Sequence, residues 1–420
     1  MNTTGQVNNN NAINANWAAQ DCGKWQRVVS RKAEARPSRQ GVVIQPQGEQ
    51  IAYDADGPRA GFDRNSAVDY SVNTVKEKVC CFESLYRAML VCKRGVMWKD
   101  SVAGFVKNGI VNCSQLELEL MRGTYKISPY SIFTIHEKKT RTIVSTRIRD
   151  RVFQRSLCDN YLTRQISMGF VYDNCACLPG KGTDFARRRL ECHLQRFFRR
   201  HGLNGYALKV DIHDFFGSTP HDVAKAAVRK RVDDAWTVDR VEEIIDSFAH
   251  ISPDRGMGLG SQITQLVQLA VLDDMDHYIK ERLGIKGFVR YNDDFILLHE
   301  SKEYLVHCLS EIKRILGDIG LVINDKKTAI QPIRQGIHFL GFSFRLTETG
   351  KVIKTILHKK ISKERKKLRK IANLVKTGRM SRKKADDCLR AHLAHIAKGD
   401  CHELTIRTVS FYRSLYNTPG

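Results

Sequence analysis

Three carboxylates stand where apolar runs end. The segment Val289–Leu298 reads Val-Arg-Tyr-Asn-Asp-Asp-Phe-Ile-Leu-Leu, so Asp293 and Asp294 sit together between two strand-like stretches. A turn between paired strands projects both side chains at one sheet edge. Acidic residues in a hairpin are commonly turn formers only. A third carboxylate, Asp211, closes the run Ala207-Leu208-Lys209-Val210. Burying that charge is costly unless a cation compensates it. Two strands that each end in Asp fit a site for divalent metal. Nucleotidyl transfer needs such a site, with two Mg²⁺ ions about 3.5–4 Å apart, one at the attacking hydroxyl and one at the leaving pyrophosphate. Mg²⁺ takes oxygen ligands and keeps water and phosphate in its shell.

The flanking patterns supply the elements that hold these groups. Amphipathic helices are predicted over 71–93 and 97–122, and two strands within Tyr130–Val144. Helices follow at 149–161 and 183–200, the second after the turn Pro179-Gly180-Lys181-Gly182. A strand is predicted over 206–210, helices over 220–250, and a glycine-rich loop over 256–260. From Gln262 a helix places Ile263, Leu266, Val267, Ala270 and Val271 on one face. The hairpin 287–291 and 294–299, a helix over 302–317, a strand over 320–323 and a hairpin over 337–346 and 351–354 complete the sheet region.

Charge narrows the partner. The chain has 420 residues, 69 Lys and Arg against 45 Asp and Glu, and a net charge of +24. That excess suits a polyanion, whose condensed counterions are released on binding. Residues 351–385 alone carry fifteen Lys or Arg and one acid, Glu364. The 12 cysteines include no CxxC pair, so reduced thiols in a cytoplasmic protein are expected, without structural zinc. No apolar run reaches the roughly 18 residues of a membrane span. The first 16 residues hold seven Asn, and the stretch to Asp63 is polar with isolated Trp17 and Trp25. Such a segment needs RNA or a second subunit to order it.

The motifs together resemble the bacterial retroelement-type reverse transcriptases. Tyr291-Asn292-Asp293-Asp294 is similar to the YxDD box of that family. Asp211-Ile212-His213-Asp214-Phe215-Phe216 is similar to its first catalytic strand, 82 positions earlier. Gly256–Gln265 resembles the loop that positions template and nucleotide, and 320–328 the strand that precedes a lysine near the phosphates. His338–Phe342 resembles the primer-grip hairpin. Residues 137–157 resemble the fingers, and 175–186 an insertion typical of bacterial enzymes. The resemblance covers about residues 80–400. It is closest to the enzymes of diversity-generating retroelements and of related lineages, several of which serve antiphage defence.

It implies an α+β right-hand polymerase. A polar extension (1–70) precedes fingers with part of the palm (71–205), a catalytic palm with an antiparallel sheet (206–346), and a basic helical thumb (347–420). Asp211, Asp293 and Asp294 become the catalytic metal ligands, with Ile212 beside them, for two Mg²⁺ ions or Mn²⁺ in their place. Lys139, Arg141, Phe215, Phe216, Gly260, Gln265 and Lys327 face the nucleotide. Phe216 screens the sugar 2′ carbon and so selects dNTP, while Phe215 is the more core-facing ring. Lys138 and Asp214 stand outside this set. Arg147, Arg149 and Arg151 contact template phosphate, unless Asp150 pairs with one of them. Gly341 and Lys359, Lys360, Lys363, Lys366 and Lys367 hold the duplex. Leu259 stands where retroviral and intron enzymes carry Gln and where diversity-generating enzymes, associated with low fidelity, carry an aliphatic residue, which puts accurate copying in doubt.

The implied partners are dNTPs, a structured non-coding RNA template and the cDNA product. A homo-oligomer or accessory protein is a further option. An antiphage role comes first and a mutagenic diversifying role second. A scaffold that binds RNA without polymerising is the rival from another class.

Overall fold

The computed structural model describes residues 74–136, 140–250, 252–258 and 260–416, and only the backbone of Thr140, Arg141 and His250. The 1–70 extension, Lys138, Lys139, Leu259 and the Arg141 side chain therefore lie outside the described residues.

Four helices open the fold: α1 (Val75–Cys80), α2 (Phe82–Cys92), α3 (Asp100–Lys107) and α4 (Gly109–Arg122). Thr74 starts α1 by accepting from the Glu77 N–H at 3.2 Å, while Glu77 accepts from the Thr74 N–H at 2.8 Å. The single helix expected over 71–93 is broken at Cys81, whose ψ of 147° is extended. Gly123, at φ 71°, ends α4. Strands β1 (Ser131–His136) and β2 (Thr140–Ser145) form the expected antiparallel hairpin. Helices α5 (Ile148–Leu157), α6 (Thr163–Ser167) and α7 (Thr183–His201) lead to β3 (Tyr206–Asp211). Next come α8 (Phe215–Ser218), α9 (His221–Arg229), α10 (Ala235–Asp246), α11 (Gln262–Val271) and α12 (Asp273–His277). Strands β4 (Gly287–Tyr291) and β5 (Asp294–His299), helix α13 (Lys302–Asp318) and strand β6 (Ala329–Pro332) follow.

These four strands make one antiparallel sheet in the order β4-β5-β3-β6. Both of its faces are covered. Leu208, Val210, Phe295 and Leu297 join a large core with the helices, among them Leu266 of α11 and Ile312 of α13. Ala207, Ile296 and Leu298 face a second core with Leu190 and Leu194 of α7 and with Phe339, Phe342 and Phe344. Burial on both sides explains why these strands read as continuous apolar runs rather than alternating ones.

The strand expected over 320–323 is absent. That segment makes only a one-residue bridge, Ile323 to Ile212, because β3 has already ended at Asp211. The fourth strand is β6 instead, a four-residue edge strand that ends on Pro332. A separate sheet, β7 (Ile337–Phe339), β8 (Phe342–Leu346) and β9 (Val352–Ile356), follows it. The chain closes with α14 (His358–Lys376), α15 (Arg382–Ile396) and α16 (His402–Ser414), packed on their own core of Leu368, Ile371, Ala385, Leu389 and Tyr412.

Candidate active site

The register of the sheet brings the three carboxylates to one edge. Asp211, the last residue of β3, lies opposite Asp294, the first residue of β5. The Ile212 N–H donates to the Asp293 carbonyl at 3.1 Å, so the two chain turns are tied directly. Asn292 makes the hairpin turn at φ 54°, a conformation that Asn tolerates better than most residues. Ile212 itself is buried beside them.

Each strand-end carboxylate on this edge meets a lysine. Asp211 is 6% exposed and accepts from Lys327 Nζ at 2.6 Å on both oxygens, and from Asn324 Nδ2 at 3.2 Å. Asp294 Oδ2 accepts from Lys209 Nζ at 3.3 Å. The same ammonium is 3.2 Å from Oδ1 but without hydrogen-bond alignment, which leaves that oxygen buried with no donor. Burial pushes the Asp294 carboxyl up to about 6; Lys209 opposes this, and the nearby charges of Asp293 and Asp211 add to it. Among the described residues, no three His, Cys, Asp or Glu side chains are drawn together tightly enough to enclose a metal ion. The donor set nonetheless fits a hard cation. It is all oxygen, one oxygen is buried without a donor, and the acids are close enough to repel.

Of the nucleotide-side candidates, Phe215 and Phe216 follow this edge in the chain, and Lys327 reaches Asp211 on it. Phe215 is buried and Phe216 half-buried, with ring centroids 5.8 Å apart. The glycine loop hangs on the same turn: the Gly256 N–H donates to the Thr219 carbonyl and the Met257 N–H to the Phe216 carbonyl, both at 2.8 Å. Gly260 has φ 121°, which a side chain would strain. A Cβ on Gly258 would lie 2.6 Å from the Phe248 ring. Gln265 is half-buried in the first turn of α11. Lys327 is on Asp211, as described. Asp214 is exposed at φ 43° ahead of α8.

Arg147, Arg149 and Arg151 differ from one another. Arg147 is exposed, and its Nε donates to the Pro129 carbonyl at 3.2 Å. Arg149 pairs with Glu119, donates to the Lys126 carbonyl at 3.2 Å and covers the Tyr125 ring at 4.9 Å. Asp150 is 3.8 Å from Arg149, fully buried, and accepts from Tyr125 Oη at 2.7 Å. Arg151 donates to the Thr146 carbonyl at 3.2 Å. Asp150 thus lies beside Arg149, whose nearer acid is Glu119. At the β7–β8 turn, Gly341 has φ 87°, and Lys360 lies where a Cβ on it would be. Lys359, Lys363, Lys366 and Lys367 are exposed on α14.

The sequence reading missed the group that carries the Asn292 turn. Arg290 is fully buried within β4. Its Nε donates to both Asp276 oxygens, at 2.7 and 2.9 Å, and its Nη2 to Oδ2 at 2.5 Å. Its Nη1 donates to the Asn292 carbonyl at 3.2 Å and its Nη2 to the Leu269 carbonyl at 3.3 Å. One guanidinium thus joins α11, α12 and the turn that bears Asp293. The backbone of Arg290 is held as well, by Asp173 and Cys175 at 3.0 and 2.9 Å. Burial alone would raise the Asp173 carboxyl, but hydrogen bonds from His193 and Arg189 hold it well below the usual range. A signal was present: an arginine inside a strand buried on both faces requires an acidic partner.

Residues 128–344 match the reverse transcriptase (RNA-dependent DNA polymerase) family. Protein YkfC of Escherichia coli strain K12 is 24% identical over 272 residues, covering 53% of this chain and 68% of its own. Telomerase from Candida albicans, solved with a fragment of telomeric RNA, gives a TM-score of 0.42 at 11% identity over 70% of this chain. Apo telomerase from Candida tropicalis, truncated from its C-terminal domain, gives 0.40 at 12% identity over 52%. The chain spans 60% and 54% of those two solved chains. The family match takes in just over half of this chain and includes both carboxylate-bearing strands, so the chain belongs to the reverse transcriptase (RNA-dependent DNA polymerase) family.

Proposed function

We propose that this chain extends a 3′-hydroxyl with dNTPs on an RNA template, using Asp211, Asp293 and Asp294 to hold two Mg²⁺ ions. The observation that carries the reading is the pairing of Asp211 with Asp294 at one sheet edge, where the Asp294 Oδ1 is buried without an aligned donor. The ions would lower the charge barrier at the attacking hydroxyl and the leaving pyrophosphate. The chain's own residues do the rest. Asp211 and Asp294 would present oxygens from paired strand ends, and the ions would displace the lysine contacts and draw these side chains in. Lys327, now on Asp211, is near enough to meet a triphosphate once a cation takes its place there. In this reading Phe216, whose carbonyl accepts from the Met257 N–H of the glycine loop, excludes a 2′-hydroxyl.

The template in this reading is an associated non-coding RNA, and the biological setting is antiphage defence. Its support is the likeness of residues 175–186 and of both catalytic boxes to bacterial retroelement enzymes. The test uses purified protein with its bound RNA, Mg²⁺ and labelled nucleotides. DNA is expected from dNTPs and little product from NTPs. The Asp293→Ala, Asp294→Ala double variant is expected to lower synthesis by roughly 10³-fold or more. Synthesis untouched by that change would remove the site assignment. Sequencing the bound RNA, and challenging cells that carry the gene with phage, tests the template and the setting.

A further inference from the structure

The insertion at 175–186 runs into α7, and α7 carries a buried arginine that the polymerase reading does not use. Arg187 is 6% exposed. Its Nη1 donates to Asp184 at 2.6 Å, and Asp184 in turn accepts from Lys398, just beyond α15, at 2.7 Å. Its Nη2 donates to the Leu340 carbonyl at 2.8 Å, and its guanidinium lies 4.5 Å from the Phe342 ring centroid. These contacts converge on the β7–β8 turn. Leu340 has φ 43°, a left-handed conformation that a non-glycine side chain disfavours, and Gly341 follows at φ 87°. A strained turn persists only when its surroundings hold it. Arg187 supplies a charge-assisted bond to the Leu340 carbonyl within this turn, from a side chain that is itself buried.

We propose that Arg187 is a positioning residue for the primer end of the template–primer duplex, acting by holding the Leu340–Gly341 turn in its left-handed shape. It touches neither nucleotide nor metal-binding carboxylate. Its effect is on where the primer sits and how tightly the turn grips it. The inference rests on the proposed polymerase function and on the likeness of His338–Phe342 to the primer-grip hairpin.

The probe is a fluorescein-labelled DNA primer annealed to an RNA template, with the full chain. Arg187→Gln is expected to raise the primer–template KM on the order of tenfold, the scale of one charge-assisted hydrogen bond. The dNTP KM, and kcat at saturating duplex, should stay within about twofold. Arg187→Lys, which keeps the charge and the packing but not the forked geometry, should fall between and covers the case in which Arg187→Gln fails to fold. Adding Leu340→Gly to either variant should lower the duplex KM back toward the unaltered value, because glycine adopts the left-handed shape without help. A merely structural ion pair would give no such rescue. Unchanged duplex KM in a folded Arg187 variant, or no rescue by Leu340→Gly, overturns the inference. No extension at all by the unaltered chain overturns the polymerase reading and this inference with it.

Discussion

The sheet edge that bears the carboxylates and helix α14, palm and thumb in the proposed reading, both carry dense charge, yet they handle it in opposite ways. At the palm edge, Asp211, Asp294 and Arg290 are buried or nearly so, and each has named partners within hydrogen-bond range. On α14 the cations Lys359, Lys363, Lys366 and Lys367 are exposed, and Lys367 approaches Glu364 no closer than 3.6 Å. Fixed, buried charge places atoms for chemistry. Exposed charge on flexible stems binds a phosphate backbone without reading it. The palm should therefore govern turnover and the thumb should govern affinity.

The sharpest way to break this contrast lies in the palm. Arg290→Met leaves Asp276 buried without its cation, which destabilises a fold by about 3–5 kcal/mol. The chain should melt many degrees lower, and DNA synthesis at permissive temperature should fall through kcat with little change in duplex affinity. Calorimetry and steady-state kinetics check both. Loss of affinity with normal kcat would erase the distinction between the regions.

The thumb is expected to answer more gently. Changing Lys363, Lys366 and Lys367 together to Ala should weaken duplex binding about equally for all sequences. It should also flatten the dependence of log K on log salt by roughly 1 for each phosphate no longer neutralised. Titrations by fluorescence anisotropy at several salt concentrations would show it. An unaltered slope would mean that these lysines do not meet phosphate.

The smallest effect is a pH effect at Asp294. Its carboxyl is raised to about 6, so the folded chain binds that proton more tightly than the unfolded chain does. Without divalent cation, this group favours the folded state at acidic pH and loses that contribution as pH rises through about 6. A cation that binds the ionised carboxylate reverses the balance. The Mg²⁺-induced rise in melting temperature should be larger at about pH 7 than at about pH 5, since protonation competes with the metal. Equal shifts at both would remove Asp294 from the ion's shell.

Much of this was legible in the residues, for identifiable reasons. Strands β3, β4 and β5 stood out because both faces are apolar, and the carboxylates stood out because they interrupt those runs. Other parts were not. The strand expected over 320–323 has apolar residues but almost no partner left to pair with, whereas β6 pairs despite the mixed sequence Ala-Ile-Gln-Pro. Pairing depends on where a neighbouring strand stops, which local composition does not encode. The break at Cys81 was hidden because the apolar spacing continues through it. Lys209 could have been found. It is two positions from Asp211 on one strand and so shares its face. Asp276 could not, since its tie to Arg290 spans 14 positions and depends on how α12 packs.

The alignment of β3 with β5 has a further consequence. Side chains on a strand alternate between faces, so gaining or losing one residue between Tyr206 and Asp211 would turn every following side chain over. Leu208 and Val210 would leave the helix-packed core, and the strand's terminal acid would point away from Asp294. A change of length here would therefore be tolerated only in the connections on either side of the strand, and within it only substitution keeps the register.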